Sequence, residues 1–218
     1  MSVRNISFAS GEYYHLYNRG NSKQPIFLDV QDYHYFLKLL FVANSQKSLS
    51  HFSRIAYPYL YERGGLLVDI GAYCLMPNHF HLLVKMREGT TISAFMHRMG
   101  TSYSMYFNKK YKRTGGLFEA KYKATHVTDD EYFQYLFAYI HLNPAKLIDS
   151  SWKEKMSVAP EELYDYVENY EYSSYQDYLF SHSRPQSVIL NKEEFPFVFT
   201  ENDPRKSIRN WFLNYEVI

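Results

Sequence analysis

The stretch of sequence that decides the fold is LLVDIGAYCLMPNHFHLLVKM, residues 66–86. Two runs rich in β-forming residues, 66–76 and 79–86, are separated by Pro77 and Asn78, which together are typical of a turn. The stretch therefore predicts a β-hairpin, and the elements on either side can be placed relative to this pair of strands.

The second strand of this hairpin carries a histidine pair. Side chains alternate between the two faces of a strand, so His79 and His81 point together to one face while Phe80 and Leu82 point into the core. The two histidine Cβ atoms lie about 7 Å apart, a spacing at which two imidazoles can bind one divalent ion. An H-x-H pair alone is weak evidence for a metal site, since two surface histidines are the commoner case.

Outside the hairpin, apolar periodicity and capping residues predict further strands and helices. The full series is a strand over 12–19, a helix capped by Asp29, strands over 66–76 and 79–86, a helix over 91–107, a strand over 117–127, and a helix from a Thr128–Glu131 capping box to Asn143, where Pro144 ends it. This order predicts an α+β, ferredoxin-like (βαββαβ) fold with two helices on one face of an antiparallel sheet and a last helix after the fourth strand. We assign residues 1–148 to this domain and residues 149–218 to a mostly helical extension packed on it.

The composition excludes several classes of protein. Hydrophobic residues make up 46% of the 218 residues, which excludes a disordered chain, and no apolar run is long enough to span a membrane. The single cysteine, Cys74, excludes an internal disulfide framework. Together with the lack of a signal-like pattern in the first ten residues, this favours a reducing, cytoplasmic location.

The net charge of +1 hides an asymmetry along the chain. Between residues 98 and 123, Glu119 is the only acidic residue among lysines, arginines and interleaved aromatic residues, a composition that suits a single-stranded nucleic acid. A solvated, lysine-rich loop would have the same composition. Residues 161–178 contain six acidic residues and no basic one, and either shield a binding groove or form an amphipathic surface.

The helix before Pro144 adds two candidate functional residues. Tyr139 and Asn143 are four positions apart and so lie on one flank of the helix, one turn from each other. If this helix lies beside the open face of the sheet, the Asn143 oxygen can join the two imidazoles around a metal ion, and the Tyr139 phenol lies next to that ion. Taken singly, an interface tyrosine and a helix C-cap are equally reasonable interpretations.

Two motifs together, CLMPNHFHLLV at 74–84 and YIHLNP at 139–144, resemble the single-tyrosine HUH transposases, most closely the REP-associated tyrosine transposases. Shorter motifs that support the resemblance are YNRG at 17–20, GLFEAKYKA at 116–124 and SSYQDYL at 173–179. The resemblance implies that His79 and His81 are metal ligands, that Tyr139 is the nucleophile, and that Asn143 is the third ligand. The connection over 44–65 is longer than the family pattern, and Lys121 stands where the family pattern has an arginine.

The resemblance also implies a reaction and its partners. The reaction is metal-dependent cleavage and rejoining of single-stranded, hairpin-forming DNA through a 5′-phosphotyrosine, with Mg²⁺ or Mn²⁺ as the cofactor. Similar enzymes include monomers and dimers, so a homodimer is an open expectation, and no membrane partner is implied. The basic residues that we select as candidate DNA contacts are Arg19, Lys109, Lys110, Lys112, Arg113, Lys121 and Lys123.

Two alternatives belong to other functional classes. A catalytically inactive module of the same fold would bind single-stranded nucleic acid without cleaving it, although such a module has no need to retain His79, His81, Tyr139 and Asn143 together. A zinc site would instead use Cys74, which lies near His81 if the hairpin pivots at Pro77 and Asn78, although a lone cysteine is more often a small core residue.

Overall fold

The computed structural model describes residues 6–47, 55–153, 155, 157–180, 184–196 and 203–213. Its strands and helices are β1 (Tyr13–Arg19), α1 (Val30–Val42), β2 (Val68–Met76), β3 (His79–Met86), α2 (Ile92–Lys110), β4 (Lys123–Val127), α3 (Asp130–Leu142), α4 (Pro160–Glu168), α5 (Tyr175–Leu179) and α6 (Pro204–Leu213). The order up to α3 is the one that the sequence predicts. No helix in the described part of the chain is long and apolar enough to cross a membrane.

The four strands form one antiparallel sheet in the order β2-β3-β1-β4. This order, with α1 and α2 as the connections between β1 and β2 and between β3 and β4, is ferredoxin-like, so the predicted fold class is confirmed. The register between β1 and β3 sets Tyr17 opposite His81 and Arg19 opposite His79. The histidine pair therefore lies on an interior strand of the sheet, beside β1.

Apolar side chains cover both faces of the sheet. On one face, Leu16 and Phe80 belong to a core cluster with residues of α1 and α2. On the other face, Leu83 belongs to a second cluster with residues of α3, among them Phe137 and Ile140. Because His79, His81 and Leu83 alternate along the same face of β3, α3 packs on the face that carries the histidine pair.

The start and end of α3 differ in detail from the prediction. The N-cap is Asp129, whose carboxylate accepts a hydrogen bond from the Tyr132 backbone amide at 2.8 Å. Thr128 lies one position too early to cap and instead donates to the Asp129 carboxylate, so the predicted Thr128 capping box is wrong. The α-helix ends at Leu142, but Pro144 does not end the helical path, because a 3-10 helix continues over Asn143–Leu147. Proline is tolerated there because it lies at the first turn.

The fourth strand is shorter than the predicted 117–127. Residues 117–122 are held by other contacts: the Leu117 carbonyl accepts from the backbone amide of Asn21 at 2.9 Å, and the Ala120 carbonyl accepts from the Asn18 side chain at 3.0 Å. A single bridge joins Gly20 and Phe118. The backbone of this segment is therefore satisfied by a turn and by a side chain, and strand pairing begins only at Lys123.

The chain after α4 lies against the outer edge of β2. The Leu75 amide donates to the Tyr172 carbonyl, and the Ser174 amide donates to the Tyr73 carbonyl, both at 2.9 Å. Farther along β2, the ring of Phe195 lies where a β-carbon at Gly71 would be, so only glycine fits at that position. These contacts cover a strand edge that would otherwise expose unpaired backbone groups. The division of the chain at residue 148 stays a prediction.

In the acidic stretch 161–178, helix α4 is amphipathic, whereas Asp177 is fully buried and paired with Arg184. In α4, Leu163 and Val167 are buried. Two of its carboxylates, Glu161 and Glu168, form ion pairs with arginines of α6. The described structure thus gives these carboxylates partners within the C-terminal part of the chain.

The long connection after α1 is attached to the core by a buried asparagine. The Asn44 amide donates to the carbonyl of Val68 and accepts from the amides of Leu67 and Val68, all within 3.0 Å. Part of this connection, 48–54, lies outside the described residues.

Candidate active site

His79 begins β3 directly after the hairpin turn, and the turn fixes its ring. The Nδ1 of His79 lies 2.6 Å from Oδ1 of Asn78, and the amide nitrogen of Asn78 donates to the Lys23 carbonyl at 3.1 Å. Because the second bond fixes which way the Asn78 amide points, Oδ1 can only accept, and Nδ1 of His79 carries the proton. The other ring nitrogen, Nε2, therefore has the lone pair that a metal ion needs.

His81, the second histidine, contacts a third histidine that sequence analysis missed. His15 of β1 places its Nε2 2.8 Å from Nδ1 of His81, and both residues are nearly fully buried, at 7% and 5% exposure. The alternation Tyr13, His15, Tyr17 along β1 already puts His15 on one strand face. What the sequence does not reveal is the register that brings this face beside His81.

The environment keeps these three imidazoles neutral. Burial lowers the pKa of His15 to about 4. Burial, with smaller contributions from the charges of Lys146 and Arg19, lowers the pKa of His79 to about 4. The pKa of His81 is lowered well below its ordinary value by burial and then by His15, His79 and Lys146. Neutral imidazole is the form that binds a metal ion.

Tyr139 projects from α3 toward the histidines. Its ring centroid lies 5.5 Å from that of His81 and 6.3 Å from that of His15. Tyr135, one turn earlier on the same helix, stacks on Tyr139 at 6.0 Å. The structure thus brings the Tyr139 ring beside His81 and His15, and the roles of these residues stay predictions.

Asn143 follows Tyr139 by one turn and is 1% exposed. Its amide nitrogen donates to the Tyr139 carbonyl at 2.7 Å. Among the residues that the structure describes, however, its buried Oδ1 has no hydrogen-bond partner. A buried amide oxygen without a partner is costly, and this atom is the one that a metal ion would accept as a ligand.

Two lysines that sequence analysis also missed lie over the Tyr139 ring. Nζ of Lys153 is 4.9 Å and Nζ of Lys146 is 5.6 Å from the ring centroid. Together with Trp152, Leu142 and Asn143, they line a small pocket beside the phenol. Lys146 lies within the 3-10 helix that Asn143 begins. The tyrosine therefore lies in a positively charged environment, which suits an anionic phosphate.

The candidate DNA contacts divide into two groups. Arg19 and Lys123 lie on the face of the sheet that carries the histidine pair, because they pair with His79 and Tyr17 in register. The remaining residues lie at the end of α2 or in the segment before β4; these are Lys109, Lys110, Lys112, Arg113 and Lys121. Arg19 forms an ion pair with Glu119 at 2.9 Å. None of these roles in DNA binding is tested by the structure, and all stay predictions.

The surroundings of Lys110 are those of a structural ion pair. Its ammonium contacts the Asp29 and Asp32 carboxylates at 2.7 and 2.8 Å, and Asp32 is fully buried. Burial alone would raise the pKa of Asp32, but hydrogen bonds from Lys110, from the Leu28 amide and from two tyrosines lower it. This site therefore contributes stability above the ordinary carboxylate pKa, and that stability is lost as the pH falls through the lowered value.

Lys110→Met is therefore expected to lower the free energy of unfolding by about 2 kcal/mol, because it leaves a buried carboxylate without its cation. The effect stays below that of a fully buried pair because the Lys110 side chain is 21% exposed. Lys109→Met, at the adjacent exposed position, should change it by about 0.5 kcal/mol or less. Urea denaturation at pH 7 measures both, and equal effects would contradict the structural role of Lys110.

Cys74 pairs with His81 across the β2–β3 ladder, as the zinc alternative requires. Its thiol is nonetheless fully buried in the cluster beneath α3, and burial raises its pKa. Among the described residues, no group of three or more His, Cys, Asp or Glu side chains could hold a metal ion. The surroundings of Cys74 therefore favour a core residue over a zinc ligand.

These features define a class of protein. A ferredoxin-like sheet with a histidine pair on one face, covered by a helix that carries a tyrosine and an amide one turn apart, is the arrangement expected of a single-tyrosine HUH protein. Residues 63–143 match the family model of the IS200-like transposases, and this range contains His79, His81, Tyr139 and Asn143. The chain is thus similar to the IS200-like transposases, and the resemblance indicated by its motifs is confirmed.

One solved structure matches the fold over nearly the whole chain. It is that of a REP-associated tyrosine transposase bound to a REP hairpin; it matches with a TM-score of 0.52, covers 92% of each chain and is 11% identical. At this identity the match shows the fold. No curated protein matches the sequence. The family match supports a transposase-type, DNA-binding function for this chain.

Proposed function

We propose that this chain cleaves and rejoins single-stranded, hairpin-forming DNA, with Tyr139 as the nucleophile and with Mg²⁺ or Mn²⁺ held by His79, His81 and Asn143. The observation that carries the proposal is the 5.5 Å distance between the centroids of the Tyr139 and His81 rings, together with the buried Oδ1 of Asn143, which has no hydrogen-bond partner in the described part of the chain. The REP hairpin bound by the structural neighbour supports the choice of a hairpin substrate.

The reaction that we propose exchanges one phosphodiester for another. The phenolic oxygen of Tyr139 forms a bond to the scissile phosphorus as the bond from phosphorus to the 3′ oxygen breaks. The phenol loses its proton and the leaving oxygen gains one, which gives a 5′-phosphotyrosine and a 3′-hydroxyl. A second 3′-hydroxyl then attacks the phosphotyrosine and loses its proton, while the bond from phosphorus to the Tyr139 oxygen breaks and the departing phenolate takes up a proton. No energy source is needed, because the number of phosphodiester bonds is unchanged.

The charges around Tyr139 support both steps. A phenol ionises near pH 10 in water and is a poor nucleophile when protonated. The ammonium groups of Lys146 and Lys153 lie over its ring and favour the phenolate both as nucleophile and as leaving group. They also attract the phosphate that has to approach the phenol.

The residues at the site fit a divalent metal ion. The donors are two neutral imidazoles and the unpartnered Oδ1 of Asn143. These three donors do not fill the coordination shell of a divalent ion, so water and phosphate oxygens could also bind it. The two nitrogen donors favour Mn²⁺. When bound, the ion would polarise the phosphoryl group and lower the pKa of a neighbouring phenol.

The proposal is tested by incubating the protein with a library of hairpin-bearing single-stranded oligonucleotides and Mn²⁺. We expect DNA that stays attached to the protein after denaturation and is lost when EDTA is added, and its sequence then gives the cleavage site. Binding without any covalent adduct, with every hairpin and with Mg²⁺ as well as Mn²⁺, would identify a binding module instead of a nuclease.

Two exposed lysines are expected to bind the DNA backbone. Lys123→Gln, on the face of the histidine pair, and Lys112→Gln, after α2, should each weaken hairpin binding and reduce the salt dependence of log K by about 0.7, the value for one phosphate contact on a single strand. Binding is measured by fluorescence anisotropy at salt concentrations from about 50 to about 300 mM, because phosphate contacts weaken as salt rises through this range.

Lys47→Gln is the matched control for these variants. Lys47 is exposed and lies beyond the C-terminal end of α1. The end of α2 lies instead at the N-terminal end of α1, where Lys110 pairs with Asp29. The 13 residues of α1 separate these two ends by about 20 Å. An unchanged slope for Lys112→Gln and Lys123→Gln would show that both are ordinary surface lysines.

A further inference from the structure

The two histidines of the proposed metal site share an arrangement at Nδ1. His79 directs Nδ1 at the Asn78 amide oxygen and His81 directs Nδ1 at Nε2 of His15, at 2.6 and 2.8 Å. In both residues Nε2 is the ring nitrogen that does not take part in this contact. For His79 the proton must be on Nδ1, since an amide oxygen cannot donate. For His81 the partner is a second imidazole, which can donate or accept.

The hydrogen bond between His15 and His81 has two solutions. If His15 donates from Nε2, then Nδ1 of His81 is the acceptor and Nε2 of His81 carries a proton, so it has no lone pair for a metal. If His81 donates from Nδ1, then Nε2 of His15 is the acceptor and Nε2 of His81 is free to bind. Only the second solution makes His81 equivalent to His79.

We infer that His15 is the positioning residue of the metal site, accepting the Nδ1–H of His81 so that Nε2 of His81 is held as a metal ligand. This inference rests on the proposed function, which requires a metal at His79 and His81. A metal-binding histidine generally donates its other ring N–H to a fixed acceptor, which sets both tautomer and ring orientation. His15 supplies that acceptor from the neighbouring strand.

The packing around His15 holds the acceptor in place. The His15 and His81 rings are tilted by only 20° with centroids 5.0 Å apart, which aligns the hydrogen bond near the plane of both rings. The Tyr17 ring stacks on His15 at 4.9 Å and lies 5.9 Å from the His81 ring, so it packs against both imidazoles. His15 is not itself a third ligand in this arrangement, because the nitrogen that faces His81 is already engaged.

The experiment has one arm that needs no loaded protein. Long-range proton–nitrogen NMR spectra of the ¹⁵N-labelled wild-type protein at pH 7 report which ring nitrogen of each histidine is protonated, and the His81 signals are assigned by their loss in His81→Gln. We expect His81 to be protonated at Nδ1. In His15→Phe, which fills the space but cannot accept, we expect the Nε2-protonated form of His81 to appear. A wild-type His81 protonated at Nε2 would overturn the inference.

The second arm measures affinity for Mn²⁺ alone, by electron paramagnetic resonance of the free ion. His15→Phe should weaken Mn²⁺ binding by about 10- to 100-fold, as expected for loss of an outer partner of a ligand. His15→Gln should restore it to within about threefold, because its amide oxygen can accept the same proton. Tyr17→Phe, a control that keeps both imidazoles, should match the wild type. Equal Mn²⁺ affinity in His15→Phe and wild type would overturn the inference.

The two proposals fail separately. If no covalent DNA adduct forms with any hairpin, but the His81 tautomer and the Mn²⁺ affinity depend on His15, the nuclease proposal fails and the positioning role stands. If the adduct forms on Tyr139 and His15→Phe leaves the affinity for Mn²⁺ unchanged, only the positioning role fails. If His15→Phe does not fold, the tautomer of His81 in the wild-type protein decides the question.

Discussion

Tyr139→Phe is expected to abolish the covalent protein–DNA adduct while leaving hairpin binding and Mn²⁺ binding unchanged. The substitution removes one oxygen atom and keeps the ring, so the contacts that the ring makes with His81 and Tyr135 remain. Since a phosphotyrosine cannot form without the phenolic oxygen, the expected loss is complete. Denaturing electrophoresis of protein incubated with labelled hairpin DNA and Mn²⁺ measures the adduct.

The prediction selects one of 23 tyrosines in the chain. Two rivals lie on the same helix: Tyr135 stacks on Tyr139 at 6.0 Å, and the Tyr132 ring lies 6.1 Å from that of Tyr135. A third rival is Tyr17 of β1, whose ring lies 5.9 Å from that of His81. Tyr132 is about 16 Å of helix rise from Asn143, against about 6 Å for Tyr139. Among the tyrosines of α3, Tyr139 is therefore the one nearest to an ion held by Asn143.

Tyr135→Phe and Tyr132→Phe are accordingly the matched controls, and both should form the adduct. Mass spectrometry of the digested adduct should find the nucleotide on the peptide that contains Tyr139. A nucleotide on Tyr132 or Tyr135, or an adduct that persists in Tyr139→Phe, would overturn the assignment of the nucleophile. An adduct absent from every variant and from the wild type would instead argue against the nuclease proposal.

The features that sequence analysis predicts correctly are those set by local periodicity. The alternation along 79–86 predicts the strand and the shared face of His79 and His81, and the four-residue spacing predicts the shared flank of Tyr139 and Asn143. The turn at Pro77 and Asn78 fixes the hairpin. Each of these signals spans fewer than about ten residues, so the rest of the fold is not needed to interpret them.

The features that it misses depend on the register between distant segments. His15 joins the site only because β1 lies beside β3 in the register that sets Tyr17 opposite His81. Lys110 has the sequence context of a DNA contact, yet α1 brings Asp29 and Asp32 to it from about 80 residues away in the chain. A local charge count cannot distinguish an exposed lysine from one that neutralises a buried carboxylate.

The boundary errors have a different cause. Thr128 and Asp129 are both good N-cap residues, and the choice between them depends on which backbone amide each can reach. Asp129 reaches the amide of Tyr132 and so caps the helix. The strand predicted from residue 117 begins at Lys123, because the preceding backbone has partners in the turn after β1. In both cases the residue types are compatible with the predicted boundary. Contacts with segments distant in the chain, or the reach of one side chain, decide where the element begins.

The second large effect is expected at the metal ligands. His79→Ala and His81→Ala should each reduce cleavage by about 100-fold or more, since a bound metal ion contributes several kcal/mol to stabilising charge in the transition state. His126→Ala is the control, because His126 pairs with Tyr14 and so lies on the other face of the sheet. The rate of adduct formation under single-turnover conditions measures the effect, with Mn²⁺ affinity measured in parallel. Near-wild-type cleavage by either variant would contradict the proposed metal site.

Asn143 provides the sharper test, because its two amide atoms have different partners. Its Nδ2 donates to the Tyr139 carbonyl, while the buried Oδ1 has no hydrogen-bond partner within the described ranges. Asn143→Asp keeps an oxygen ligand but loses the donor, and Asn143→Ala loses both. If Oδ1 binds the ion, Asn143→Asp should retain Mn²⁺ affinity and Asn143→Ala should not. If the residue only closes the end of α3, both variants should lose stability and neither should change the affinity of the folded protein for Mn²⁺. The difference between the two variants therefore separates a ligand from a cap.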